Sequence, residues 1–314
     1  LSADAINLYG LDLFGDPIQR RNQAPLADKF GVPPFSVLDA RSGEWQDRKR
    51  AWLAMGIESE LGRKCEGAYG WMDLANNPRA AESTKKIGAV GDGPSVFDPH
   101  LCELAYRWFC PPGGQVVDPF AGGSVRGIVA GSVGLPYWGC ELRAEQVDAN
   151  RKQAAALATA PAPVWRVGDS ALELRNSPAA DFVFSCPPYG DLERYSDDPA
   201  DLSTMDWASF VDAYRAIVNL SVDRLREDRF ACFVIGDFRD KRSGHYRDFV
   251  STTIRAFTDA GAALYNEAIL VIAIGSASMR ASKQFDAGRK LVKTHQNVLT
   301  FVKGDWRKAA AACR

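Results

Sequence analysis

Three carboxylates recur at matching places in successive segments of this chain. Asp118 closes Val116-Val117, Glu141 follows Tyr137-Trp138-Gly139-Cys140, and Asp169 follows Val164-Trp165-Arg166-Val167-Gly168. Each segment is a short apolar run of the kind that forms a buried strand, so each acid stands at a strand's carboxyl end. Open α/β sheets bind their ligands at those ends. Taken singly, each acid reads as a cap or turn residue. As a set they supply acceptors for the paired hydroxyls of a ribose at Glu141 and for the amino group of an adenine at Asp169. Between the first two acids lies Pro119-Phe120-Ala121-Gly122-Gly123-Ser124, where adjacent glycines allow a tight turn and close backbone approach by a ligand. The combination points to an adenosine-containing ligand. The glycines match GxGxxG only loosely, and no GxxxxGK[ST] phosphate loop occurs.

Such residues need a sheet to hold them. Further apolar runs occur at Phe182-Val183-Phe184, 230–235, 268–274 and 297–302, separated mostly by helical patterns. The clearest helix is predicted from Met205 to Leu225, with Phe210, Tyr214, Ile217, Val218 and Val222 recurring at three-to-four spacing. Continuous apolar strands alternating with helices imply an α/β fold with a mostly parallel sheet buried on both faces. Residues before the linker candidate 88–94 lack strand alternation. The predicted division is therefore an N-terminal helical or irregular extension, 1–90, and a catalytic domain, 91–314. Within the extension, residues 44–53 are predicted helical, with Trp45, Lys49 and Trp52 on one face. That face reads first as indoles docking on the core and second as a nucleic-acid contact.

Composition narrows the classes. With 38 Lys+Arg against 39 Asp+Glu, a generally basic nucleic-acid coat is excluded, although a local basic cleft is not. No apolar run approaches the roughly 20 residues that cross a bilayer, and no export signal opens the chain, so a cytoplasmic setting and no membrane partner are expected. Seven scattered cysteines without a CxxC pair, and only three histidines, leave no metal site in prospect. The chain begins with Leu1 rather than Met, as a fragment or processed chain would.

The fourth strand runs into Ser185-Cys186-Pro187-Pro188-Tyr189. This resembles the catalytic motif of S-adenosylmethionine-dependent DNA amino-methyltransferases, which reads Asp, Asn or Ser followed by Pro-Pro and an aromatic residue. Asp118-Pro119-Phe120-Ala121-Gly122-Gly123 is similar to that family's methionine-binding loop. Phe97-Asp98-Pro99-His100 lies where the family often places another cofactor segment, with Phe97 and Pro99 as its candidate contacts. The resemblance extends over about 97–303, including the closing His-x-x-x-Leu-x-Phe-x-Lys pattern at 295–303, while 1–90 resembles the leader of many phage-encoded methylases. It implies a Rossmann-like class I methyltransferase fold with a seven-stranded, mostly parallel sheet, helices on both faces and a C-terminal antiparallel hairpin. It further implies S-adenosyl-L-methionine as cofactor, double-stranded DNA as partner, and a bacterial or phage-infected cell as setting.

In that family an exocyclic amine, N6 of adenine or N4 of cytosine, is methylated on a base swung out of the duplex. Acceptors at the first motif position and on the next carbonyl draw on its N–H groups. The prolines stiffen the backbone, and the aromatic residue stacks on the base. Here Pro187 would offer its carbonyl and Tyr189 its ring. The departure is Cys186, a weak acceptor where the family has Asp, Asn or Ser. Three readings stay open: Ser185 or Cys186 substitutes as acceptor; Cys186 is a thiolate attacking a pyrimidine for C5 modification; or the site has decayed into a binding module. An RNA or small-molecule acceptor is a further alternative. Tyr195 is a candidate wedge beside the flipped base, and the basic stretch 276–296 (Arg280, Lys283, Arg289, Lys290, Lys293) is a candidate loop clamping duplex phosphates.

Overall fold

The computed structural model describes residues 24–57, 97–192, 194–273 and 277–314. Its described strands are β1 (Val37–Asp39), β2 (Val116–Asp118), β3 (Tyr137–Glu141), β4 (Val164–Val167), β5 (Ala180–Ser185), β6 (Leu225–Ile235), β7 (Ala262–Val271) and β8 (His295–Lys303). They form one sheet in the order β1-β7-β8-β6-β5-β2-β3-β4. β8 runs antiparallel to β6 and β7, and the other pairings are parallel. Central strands are covered on both faces: Val116, Val117, Phe182, Val183 and Phe184 are fully buried, which accounts for their unbroken apolar runs.

The described helices are α1 (Ala24–Phe30), α2 (Gly43–Ala54), α3 (Pro99–Phe109), α4 (Val125–Ser132), α5 (Ala144–Ala156), α6 (Ser170–Glu173), α7 (Trp207–Arg224), α8 (Phe249–Asp259), α9 (Ala277–Gly288) and α10 (Trp306–Ala312). Among the described residues no helix is long and apolar enough to cross a membrane. Capping sets the starts that matter for the site. Asp98 accepts from the backbone N–H groups of His100 and Leu101 ahead of Pro99 at the head of α3, and Asp206 caps α7 in the same way. α7 then buries Phe210, Tyr214, Ile217, Val218 and Val222 along one side, as its spacing predicts.

The structure departs from the sequence reading in two places. Among the described residues the sheet has eight strands rather than seven. β1 is too short to show alternation in sequence and is held by pairing Val37, Leu38 and Asp39 with Ile269, Leu270 and Val271. Ser36–Arg314 forms one compact unit and Leu1–Phe35 another. The linker candidate 88–94 lies outside the described residues. Finally, the basic stretch expected as a loop contains α9, whose helix formers (Ala, Met, Arg, Lys, Gln) outweigh its serines and which ends on Gly288.

α2 is fixed to α3 by its tryptophans. Trp45 and Trp52 are buried; the Trp45 indole donates to Asp98 Oδ2 (3.1 Å) and the Trp52 indole to Glu103 Oε2 (2.8 Å). Arg48 grips the same buried Glu103 through two bonds of 2.7 Å, so this helix face docks on the core. Burial alone would raise the Glu103 pKa, but bonds from His100, Arg48 and Trp52 outweigh it and hold the carboxyl well below its ordinary value. Trp52→Ala is expected to cost about 3–5 kcal/mol in urea unfolding. A depressed carboxylate stabilises the fold above its unfolded pKa of about 4.3 and loses that contribution as the pH falls. Glu103→Gln should therefore flatten the acid side of the stability profile, and an unchanged profile would contradict the pairing.

Candidate functional site

The strand order reverses between β2 and β5, and at that switch point, beyond their carboxyl ends, lies a cavity of about 650 Å³. Register brings two chain segments to it together. Val116 and Val117 pair with Phe182 and Val183, so the turn after β2 and the motif after β5 leave the sheet side by side. Phe120, Gly122 and Gly123 line the cavity from the first, and Cys186, Pro187, Pro188 and Tyr189 from the second. Gly122 has φ +51°, a left-handed conformation that favours glycine. At Gly139 of β3 a Cβ would stand 2.8 Å from that of Ala121, so only glycine lets the turn lie this close to the neighbouring strand.

Asp118 stands behind the turn and is not among the lining residues. Fully buried, its Oδ1 accepts from the Phe120 backbone N–H (3.1 Å) and from Ser185 Oγ (2.5 Å). Its Oδ2 accepts from Arg126 Nε (2.6 Å) and the Tyr137 hydroxyl (2.8 Å). Arg126 of α4 also donates to the carbonyls of Phe120 and Ala121. Burial works against the Arg126 charge, but Asp118 outweighs it and holds the guanidinium above its ordinary pKa. The expected roles change accordingly. Asp118 shapes the turn, and Ser185, fully buried with its hydroxyl on Asp118, gives no acceptor to the cavity. Pro99 is likewise buried at the head of α3, while Phe97 and Asp98 reach the wall.

Glu141 at the end of β3 and Asp169 just beyond the end of β4 line the cavity. Glu141 Oε2 accepts from Gly122 N (3.1 Å) and Oε1 from Arg143 N (3.0 Å), joining the glycine turn to the end of β3. Asp169 caps α6 through Ala171 N (2.8 Å). The cofactor implied by the resemblance fits this donor set: a cavity of suitable size, a glycine turn for close approach, and carboxylates at successive strand ends for a ribose and an adenine. Lys49, Asp98, Leu101 and Gln296 also line the wall and were not singled out from sequence as site residues. Asp98 reads locally as an ordinary helix cap, and Lys49 and Gln296 come from distant parts of the chain.

On the motif side, the Cys186 thiol lies 4.0 Å from the Tyr189 hydroxyl, which accepts from Gln296 Nε2 at 2.9 Å. Phe238 and Phe249 meet the Tyr189 ring edge-on at 6.3 Å. Burial, reinforced by Cys186, pushes the tyrosine hydroxyl well above its ordinary pKa. Tyr195 also lines the cavity.

The cations expected on DNA are placed differently from one another. Lys283, Arg289 and Lys290 are exposed, with Arg289 over the Phe285 ring at 5.0 Å. Lys293 is turned inward, bonded to His295 Nε2 (3.1 Å) and Asn297 Oδ1 (3.4 Å), and its pKa is lowered by burial. The Arg280 side chain lies outside the described residues. In α2, Arg48, Lys49 and Arg50 are paired with Glu103, Asp98 and Asp47.

No protein-family model matches the sequence, and no curated protein matches it. Solved structures that resemble it include TrmN from Thermus thermophilus, at 15% identity and a TM-score of 0.44, over 66% of this chain and 49% of that one. The chain thus spans about half the length of TrmN. A candidate RNA methyltransferase from Pyrococcus horikoshii is similar at 14% identity and a TM-score of 0.48, over 82% of this chain and all of the other. Precorrin-6y C5,15-methyltransferase from Geobacter metallireducens follows at 10% and 0.45, over 69% and 94%. With its strand order, single antiparallel strand and flanking helices, the described part of the chain has a Rossmann-like mixed α/β architecture.

Proposed function

We propose that this protein is an S-adenosylmethionine-dependent methyltransferase whose acceptor is an exocyclic amino group of a nucleobase, with adenine N6 or cytosine N4 of DNA as the first reading. One observation carries it: Cys186-Pro187-Pro188-Tyr189 shares a cavity with Gly122, Glu141 and Asp169. When bound, the cofactor supplies an electrophilic methyl group on a sulfonium. Glu141 and Asp169 would hold its ribose and adenine. An exocyclic amine is a poor nucleophile because its lone pair is delocalised into the ring. The Pro187 carbonyl and Cys186 Sγ would accept its two N–H groups and favour a pyramidal nitrogen. Tyr189, tethered by Gln296, would stack on the base, so that orientation supplies most of the rate. With Ser185 committed to Asp118, the side-chain acceptor role falls to Cys186.

A second reading, an RNA or small-molecule acceptor, draws support from the placement of cations expected on duplex phosphates: those of α2 face acids and Lys293 faces inward, while Lys283, Arg289 and Lys290 are exposed. Binding to duplex DNA whose log affinity falls steeply with log salt would favour the first reading, and a shallow slope the second.

Nucleoside mass spectrometry of DNA and RNA from cells expressing the protein should show N6-methyladenine or N4-methylcytosine in DNA. Methylation confined to RNA would move the assignment to the second reading. Cys186→Ser is expected to keep or raise that activity, whereas its loss together with covalent trapping on 5-fluorocytosine DNA would establish thiolate chemistry. Two acids should separate in calorimetry and unfolding. Glu141→Ala should weaken cofactor binding by about 10–100-fold, the worth of a charged hydrogen bond. Asp118→Ala should instead cost about 3–5 kcal/mol of stability by stranding the buried Arg126.

A further inference from the structure

The cavity carries a cation that the adenosine end does not call for. Lys49 reaches its wall from α2, beside Asp98, with Nζ 3.3 Å from Asp98 Oδ2. Phe97, next in the chain, packs on Phe184 of β5 (5.9 Å) and lies under Arg126 (4.7 Å). This stretch of wall therefore lies on the β5 side of the glycine turn, whereas Glu141 and Asp169 stand on the β3 and β4 side. A cofactor whose adenosine is held by those two acids directs its amino-acid arm toward Lys49 and Asp98. That arm ends in a carboxylate, which needs a donor.

Three cationic side chains line the cavity among the described residues: Lys49, Arg126 and Arg143. Arg126 is engaged by Asp118 and two turn carbonyls, and Arg143 by Glu141 and Gln146. An ammonium carries three N–H donors, and the Lys49 contact with Asp98 uses one. Asp98 itself is fixed from both sides, accepting from the α3 backbone on Oδ1 and from the Trp45 indole on Oδ2. Among the described residues Lys49 is thus held at the wall with donors to spare.

We propose that Lys49 receives the carboxylate of the cofactor's amino-acid arm, so that the N-terminal helix α2 completes the cofactor site. This rests on the cofactor reading above and adds a residue to it. Lys49 binds, Asp98 positions it, and Trp45 positions Asp98.

The test is calorimetry on the full chain with two ligands: S-adenosylhomocysteine, and 5′-methylthioadenosine, which keeps the adenosine and thioether but lacks the amino-acid arm. Lys49→Met should weaken S-adenosylhomocysteine about tenfold or more and leave 5′-methylthioadenosine unchanged, and Lys49→Arg should restore most of the loss. Unchanged affinity for S-adenosylhomocysteine in Lys49→Met would overturn the proposal. So would an equal loss for both ligands, which would mark Lys49 as support for the docked helix. Wild-type protein that binds neither ligand would overturn the cofactor reading itself.

Discussion

A carboxylate and a guanidinium, Asp118 and Arg126, are buried together behind the carboxyl edge of the sheet, and the geometry of that edge follows from keeping them paired. Two ions in a low-dielectric interior pay a desolvation cost that their attraction repays only with good geometry and full hydrogen bonding. Here all four sites on Asp118 are filled, by Arg126, Tyr137, Ser185 and the Phe120 backbone. Each partner lies on a different part of the fold: α4, β3, the end of β5 and the turn itself. The pair thus locks the turn that presents Gly122 against the strand that presents Cys186, and it holds Phe120 where its ring stacks on Tyr214 of α7 at 6.0 Å.

A second buried acid organises the other wall. Glu103 gathers Arg48, Trp52 and Arg107 on its carboxylate, drawing α2 onto α3. One turn away, Asp98 takes Trp45 and Lys49. Both arrangements join a partner remote in sequence to an acid of α3 or its cap, so the site draws on the segment before residue 57 as well as on the sheet. Residues 36–57 belong to the same compact unit as the sheet.

What could be read from the sequence follows from the range of the interactions involved. Strand ends, the glycine turn and the Cys-Pro-Pro-Tyr segment are local signals, carried by residue type and spacing over a few positions, and the structure places them at one edge. Glu141 and Asp169 line the cavity for the reason that made them visible, namely that parallel strands end together. Asp118 and Ser185 have equally clear local signals, but their roles depend on Arg126, which sequence spacing does not connect to Ser185. The places of Lys49 and Gln296 at the cavity were hidden for a related reason, because they reach it from α2 and β8. The missing strand, β1, shows the lower limit of pattern reading: three residues cannot display a period, and its place depends on β7.

Near-zero net charge acquires a structural meaning from these pairings. The α2 cations Arg48, Lys49 and Arg50 neutralise Glu103, Asp98 and Asp47, and Lys293 bonds to His295 and Asn297 of β8. A duplex ligand recognised through phosphates would release about one counterion per neutralised charge, and Lys283, Arg289 and Lys290 are exposed candidates for that role. On the proposed reading, the aromatic and proline-framed pocket around Tyr189 supplies the rest of the affinity. A pocket that recognises a base by stacking and by its amine accepts that base from any polymer able to present it unpaired. Discrimination between DNA and RNA would therefore fall to contacts with the sugar.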